Sequence, residues 1–305
     1  MRPSNKRFFY FVSCIFGWGT ILAGCTTAPQ VLTISSTSDA VTPPPSGSKD
    51  YAQTLAAIAS VMSRDFKLPV VDVSVTVYPS QSSYESGVVA NAGRDRERLQ
   101  QQLGSGAKLP SEAEFVDSLR RLAVSSSAVG NYRKVLVNDS HASRLRWQEW
   151  VRLLAHELTH SAQSELINGR LASADQWLRE GFAEWVGYTV ADKFGAESFA
   201  KSRQSVIDLI ATARSYQTFP SLNQLARNSD WVTWLRTLGR AGTYGQALIA
   251  VDVLIEQKGI ETVVDYFRLF EKVNNREKNF LTAFGETLST FDERFSRHLG
   301  VLIGR

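Results

Sequence analysis

His156-Glu157-Leu158-Thr159-His160 restricts this chain more than any other stretch, because the pattern gains chemical meaning only on a helix. Side chains four residues apart stand one above the other there, so the two imidazoles share a face and Glu157 lies one step round from them. Such a pair can hold one Zn2+ at about 2.0–2.1 Å, with the glutamate turned towards water at an open coordination position. Trp147, Trp150, Val151, Leu154 and Leu158 recur at helical spacing through the same segment, and the inner residues of the motif, Leu158 and Thr159, are uncharged. A helix packed beneath an active site is the expectation. By itself, the five-residue pattern also fits two buried histidines satisfied by hydrogen bonds.

A second helix is expected over Trp177-Leu178-Arg179-Glu180-Gly181-Phe182-Ala183-Glu184-Trp185, where Leu178, Phe182, Trp185 and Val186 have helical spacing. Ser173 and Gln176 read as an S-x-x-Q capping box that starts this helix near Asp175 and puts Glu180 within its first turn and a half. An unpaired glutamate among Trp, Leu and Phe would be costly to bury. A catalytic zinc needs three protein ligands and one open position, and Glu180 completes a His2Glu set with His156 and His160.

On these residues the chain resembles the gluzincins, zinc peptidases that pair HExxH with a glutamate on a following helix. The W-L-x-E-G-x-A wording looks most like the aminopeptidase N and peptidase MA-like branch. Nineteen residues lie between His160 and Glu180, one more than the usual aminopeptidase N pattern. The resemblance implies an α+β, zincin-like fold, with a small mixed β-sheet lobe over a predominantly helical lobe and the active site in the cleft between them. It also implies peptide hydrolysis by metal-activated water with Glu157 as general base. Glu184 takes the place of an acidic partner that orients the first histidine, as zinc-bound histidines require; the alternative is a solvated glutamate on the helix surface. Thr243-Tyr244-Gly245-Gln246 resembles the segment whose tyrosine hydroxyl steadies the tetrahedral intermediate, although the family usually reads Y-x-K-G. Tyr244 equally fits an aromatic anchor for a helix N-terminus.

Other chemistries have less support. His141 and His298 have no ligand partner at suitable spacing and read as surface residues, with His141 near enough in sequence to reach the cleft. No Cys pair, Gly-rich phosphate loop or G-x-S-x-G elbow points to nucleotide or serine hydrolase chemistry. No basic patch with interleaved aromatics points to nucleic acid. The expected partners are a peptide or protein substrate and a membrane. Nothing in the sequence separates an aminopeptidase from an endopeptidase or from an enzyme trimming peptides of the cell envelope. A different class of function, a lipoprotein using a zinc fold as a scaffold without turnover, would need the ligands but not Glu157.

The membrane expectation comes from the N-terminus. Arg2, Lys6 and Arg7 precede an apolar stretch from Phe8 to Ala23 that ends in Leu22-Ala23-Gly24-Cys25. This resembles the signal peptide, residues 1–24, and lipobox of bacterial lipoproteins, which implies lipidation at Cys25 and anchoring to a bacterial membrane, the outer membrane facing the periplasm. An uncleaved membrane anchor is the alternative. Of the two cysteines, Cys14 would leave with the signal and Cys25 would be lipidated, so no disulfide is expected. The formal charge of +4 includes those three basic residues, and the rest of the chain is near neutral.

Residues 25–50 are rich in Ser, Thr and Pro and read as a disordered tether, with a folded strand around Val31 to Ile34 as the alternative. Residues 51–305 then form the catalytic domain, divided into a sheet lobe over about 51–166 and a helical lobe over about 167–305. Tyr51 to Phe66 has a helical pattern. Val71, Val73, Val75 and Val77 alternate as a half-buried strand. Tyr132 to Asn138 is a second strand, which the resemblance makes the substrate-binding sheet edge. Gly93 to Val124 reads as charged and partly helical. Further helices are predicted over Ser198 to Arg214, Thr243 to Gln257, Glu261 to Lys272 and Lys278 to Leu299.

Overall fold

The computed structural model describes residues 28–36, 39–91, 96–97, 110–170, 174–214 and 218–304. The signal segment, Cys25, Ser173 and much of the Gly93–Val124 stretch lie outside the described residues.

Strand β1 (Gln30–Ile34) is followed by α1 (Tyr51–Phe66), β2 (Val73–Tyr78), α2 (Gln81–Ala90), α3 (Glu112–Ser125), β3 (Ala128–Asn131), β4 (Lys134–Asn138) and the short α4 (Asp139–Ala142). Helices α5 (Trp147–Glu165), α6 (Gln176–Lys193), α7 (Phe199–Arg214) and α8 (Asn228–Arg240) come next. A π-helical turn (Ala241–Gly245) leads into α9 (Gln246–Lys258), α10 (Ile260–Leu269), α11 (Arg276–Phe284) and α12 (Leu288–Leu302). The chain is therefore mixed α+β and mostly helical. Among the described residues, no helix is long and apolar enough to cross a membrane.

Local chemistry accounts for several boundaries. Asp50 accepts the Gln53 N–H and starts α1, and Lys67 ends it in the left-handed conformation. In β2 the odd positions Val73, Val75 and Val77 are buried, and the even ones are half-buried. Val71 lies outside the strand because Asp72 turns the chain at φ 47°. The sheet order is β1-β2-β4-β3. β1 and β2 are antiparallel, with Gln30 opposite Val77, whereas β2 and β4 are parallel, with Val75 opposite Val135. A parallel neighbour demands a long crossover, and α2 and α3 lie within it. β3 returns antiparallel to β4 through a tight hairpin at Tyr132 and Arg133.

Three expectations need correction. Residues 25–50 are not a tether throughout. Residues 30–34 form β1, and the segment after it is tied down where Ser36 N–H donates to the Val70 carbonyl at 2.8 Å and Trp147 Nε1 donates to the Ser48 carbonyl at 3.0 Å. The Ser, Thr and Pro residues around this strand lower its local propensity, but pairing with β2 overrides that preference. The strand over Tyr132 to Asn138 begins at Lys134 and is internal; β3 forms that edge of the sheet. The predicted Lys278–Leu299 helix is two helices, separated at Gly285, whose φ of 75° ends α11. Helices α2 and α8 had no clear sequence signal.

One apolar core runs from Ile34 on β1 to Leu299 on α12, so the sheet and helical parts are continuous. Trp150, Trp177, Phe182, Tyr266 and Phe280 are its largest fully buried side chains. α5 passes through the middle, against β3 and β4 on one side and α6 on the other. A chain that begins at Ser36 would lose the β1 ladder and the buried Ile34 side chain. Urea unfolding should show a loss of at least about 2 kcal/mol, whereas removal of a mere tether would leave the midpoint unchanged.

Candidate metal centre

α5 is amphipathic at its start but enclosed through its middle, where every residue from Leu154 to Gln163 is buried. His156, Glu157 and His160 are therefore carried into the interior by the apolar residues around them. α6 comes close beside this helix at Gly187, where a Cβ would lie 3.0 Å from the Arg152 carbonyl oxygen. The start of α6 is held by tertiary contacts. Asp175 is its N-cap by position, but its fully buried carboxylate accepts from Arg276 NH1 at 2.6 Å and from the Tyr266 hydroxyl at 3.0 Å. The Gln176 N–H donates to the Ala226 carbonyl at 2.8 Å. Ser173 lies outside the described residues, so the capping box expected there has no structural counterpart among them.

The structure brings His156, His160 and Glu180 together, all buried, as a group able to hold a metal ion. The two Nε2 atoms are 3.1 Å apart, and Glu180 Oε2 lies 3.4 Å from that of His156 and 3.5 Å from that of His160. Ligand atoms bonded at about 2.0–2.1 Å in a tetrahedral site are about 3.3 Å apart, so the triangle has the right size for one cation.

Each of the three candidate donors is held from behind. His160 Nδ1 lies 2.9 Å from Gln163 Oε1, and Gln163 Nε2 donates to the Arg179 carbonyl at 2.9 Å. His156 Nδ1 lies 3.4 Å from Glu184 Oε1. Gln176 Nε2 donates to Glu180 Oε1 at 2.8 Å, leaving Oε2 to face the histidines. These contacts suit Nδ1–H tautomers that leave both Nε2 lone pairs free for a cation. Glu184 is thus a buried partner of the first histidine, not a solvated surface residue.

Charge is balanced tightly in this interior. Burial opposes ionisation of Glu180, but His160 and His156 outweigh it and hold the carboxyl well below its ordinary value. Burial likewise opposes ionisation of Glu184, and Arg240 and His156 hold its pKa far down. Burial lowers the His156 pKa, yet Glu180 and Glu184 reverse the effect and push it up to about 10. A proton on His156 would thus compete with a cation for the site.

Glu157 is 8 % exposed and, among the described residues, its carboxylate has no hydrogen-bond or ion-pair partner. Gly130 on β3 leaves it room: a Cβ there would collide with the Glu157 carbonyl oxygen and come within 3.0 Å of Oε2. Tyr244, in the π-helical turn, has its ring centroid 6.3 Å from that of His156 and 5.0 Å from Trp231. Burial, with the nearby Glu180 charge, raises its pKa and keeps the hydroxyl protonated as a donor. The packing against Trp231 also fits the anchor reading of Tyr244.

His141 stands apart in α4, which packs on β2 and β4, and shares no hydrogen bond or ring contact with these groups. His298 departs from its surface reading: it is half-buried, and among the described residues its buried Nε2 has no hydrogen-bond partner. Sequence reasoning missed Gln163, Gly130 and Arg240. Gln163, three residues beyond the second histidine, had a readable signal because that spacing places it one turn along the same face. The other two are brought in by tertiary structure.

Comparison with known family models, curated proteins and solved structures gives no match for this chain.

The support behind the candidate donors leads to a quantitative expectation. Gln163→Ala and Glu184→Gln should each weaken metal binding by about 10–100-fold, and Glu180→Ala should weaken it further. Competition against a chromophoric chelator, with circular dichroism to check the fold, measures this. Unchanged affinity in both supporting variants would exclude a metal at this triangle.

Proposed function

We propose that this chain is a zinc-dependent peptidase of gluzincin type with a zincin-like architecture. The reading is carried by the buried His156, His160 and Glu180 triangle beside the unpartnered carboxylate of Glu157. The imidazole and carboxylate donor set suits zinc. A zinc ion bound there would supply Lewis acidity and lower the pKa of water in the open position.

The rest of the mechanism belongs to the protein's own groups. Glu157 accepts a proton from the attacking water and returns it to the departing amine, so one carboxylate acts as base and then as acid. Its freedom from other partners supports this role, because a carboxylate held in an ion pair would be a weaker base. The Tyr244 hydroxyl donates to the oxygen on which negative charge develops. An extended peptide lies along β3, whose outer edge is available to backbone hydrogen bonds and which borders Glu157 through Gly130. This role thus passes to β3 from the Tyr132–Asn138 strand. A scaffold without turnover would gain nothing from burying Glu157 unpaired. The Leu22-Ala23-Gly24-Cys25 sequence supports export and lipid anchoring at the cell envelope.

Elemental analysis combined with a peptide-library cleavage screen tests the reading as a whole; protein without zinc and without cleavage would overturn it. In Glu157→Gln, zinc content and fold should stay near wild type while nearly all turnover is lost, since an amide cannot accept the water proton. Wild-type rates in that variant would remove Glu157 as the base. Tyr244→Phe should lower kcat by about a hundredfold or more with KM little changed. The phenyl ring keeps the contact with Trp231, so a near-normal kcat would leave Tyr244 as an anchor alone. Cys25→Ala should move the protein out of the lipid-anchored membrane fraction; unchanged processing and fractionation would point to an uncleaved anchor.

A further inference from the structure

Glu184 is met by two guanidinium groups, one at each carboxylate oxygen. Its Oε2 lies 3.6 Å from Arg152 NH2, and the Arg152 guanidinium lies 3.5 Å from the Tyr188 ring centroid, with 23 % of its side chain exposed. Its Oε1 accepts from Arg240 NH2 at 2.6 Å.

Of the two guanidinium groups, that of Arg240 is the more exposed. Its side chain is 58 % exposed, although burial and the Glu184 charge both act on the group, as suits a residue on the wall of a recess. The guanidinium carbon sits 4.0 Å from the Tyr244 ring centroid, on the ring that neighbours His156. Among the described residues, only NH2 has a hydrogen-bond partner, so Nε and NH1 remain available. The backbone fixes this placement. Gly239 adopts φ 65° and ψ −164°, a conformation that breaks α8 immediately before Arg240 and suits glycine alone.

Building on the peptidase reading, we propose that Arg240 is a specificity-determining residue that binds a carboxylate of the peptide substrate, either the chain-terminal carboxylate or an Asp or Glu side chain near the scissile bond. A guanidinium fork matches a carboxylate in shape and charge. Stacking on Tyr244 holds the fork in place before substrate arrives, which reduces the ordering cost of binding.

The test uses mixed-sequence hexapeptide libraries with a free acid or carboxamide terminus, each made with and without Asp and Glu. Cleavage by the zinc-loaded full protein and retention on its immobilised Glu157→Gln variant are both read by mass spectrometry. Carboxylate-bearing peptides should be preferred by about tenfold or more, and the pair of libraries that shows the preference identifies which carboxylate is bound. Arg240→Gln should bring the ratio close to one, while Arg240→Lys keeps part of it. Arg152→Gln should weaken metal binding and leave the preference intact. A wild-type ratio near one, or an unchanged ratio in Arg240→Gln, would overturn the assignment. An equal collapse in Arg152→Gln would overturn it as well, by placing the effect in Glu184 and His156. Carboxylate-dependent retention without cleavage would support the arginine assignment and count against the peptidase reading alone.

Discussion

The site depends on the burial of α5 between the β3–β4 side of the sheet and α6. The histidines and Glu157 are polar, and only the apolar residues around them take this helix into the interior. Trp150, Val151, Leu154 and Leu158 are fully buried on it. Close approach completes the arrangement from both sides. Gly187 lets α6 run near the α5 backbone, and Gly130 lets β3 run near Glu157. A side chain at Gly130 would have to displace either the edge strand or the glutamate.

Burying this much charge would be costly if the groups were unpaired. Each acidic group except Glu157 therefore has a defined counterpart: Glu180 faces both histidines and Gln176, while Glu184 lies among His156, Arg152 and Arg240. The two carboxylates favour positive charge on or near His156. A metal cation would satisfy the same field without a proton on the imidazole. Glu157 stands apart from this pairing, and its proposed role as base rests on that unpartnered carboxylate.

Tyr244 and Arg240 reach the same neighbourhood from a different part of the chain. The π-helical turn between α8 and α9 places Tyr244 near His156, and the glycine break before it places Arg240 against Glu184. The turn also packs against α6 and α7, so the site is supported by helices distant in sequence. Aromatic packing with Trp231 and stacking beneath Arg240 constrain Tyr244 from two directions.

Much of the local organisation was legible in the sequence because it repeats over short distances. The alternating valines gave β2, the apolar spacing gave α1, α5 and α6, and HExxH with Glu180 gave the three buried donors. Gln163 could have been found by the same helical spacing. β1 could not be assigned firmly from its own residues, because its stability comes from a partner strand distant in sequence, with Ile34 opposite Val73 and Gln30 opposite Val77. The position of β3 at the edge, the pairing of Arg240 with Glu184 and the need for glycine at position 130 likewise depend on which backbones become neighbours. Local sequence determined which side chains share a helix face; tertiary packing decided which faces meet, since that choice follows from burial summed over the whole chain.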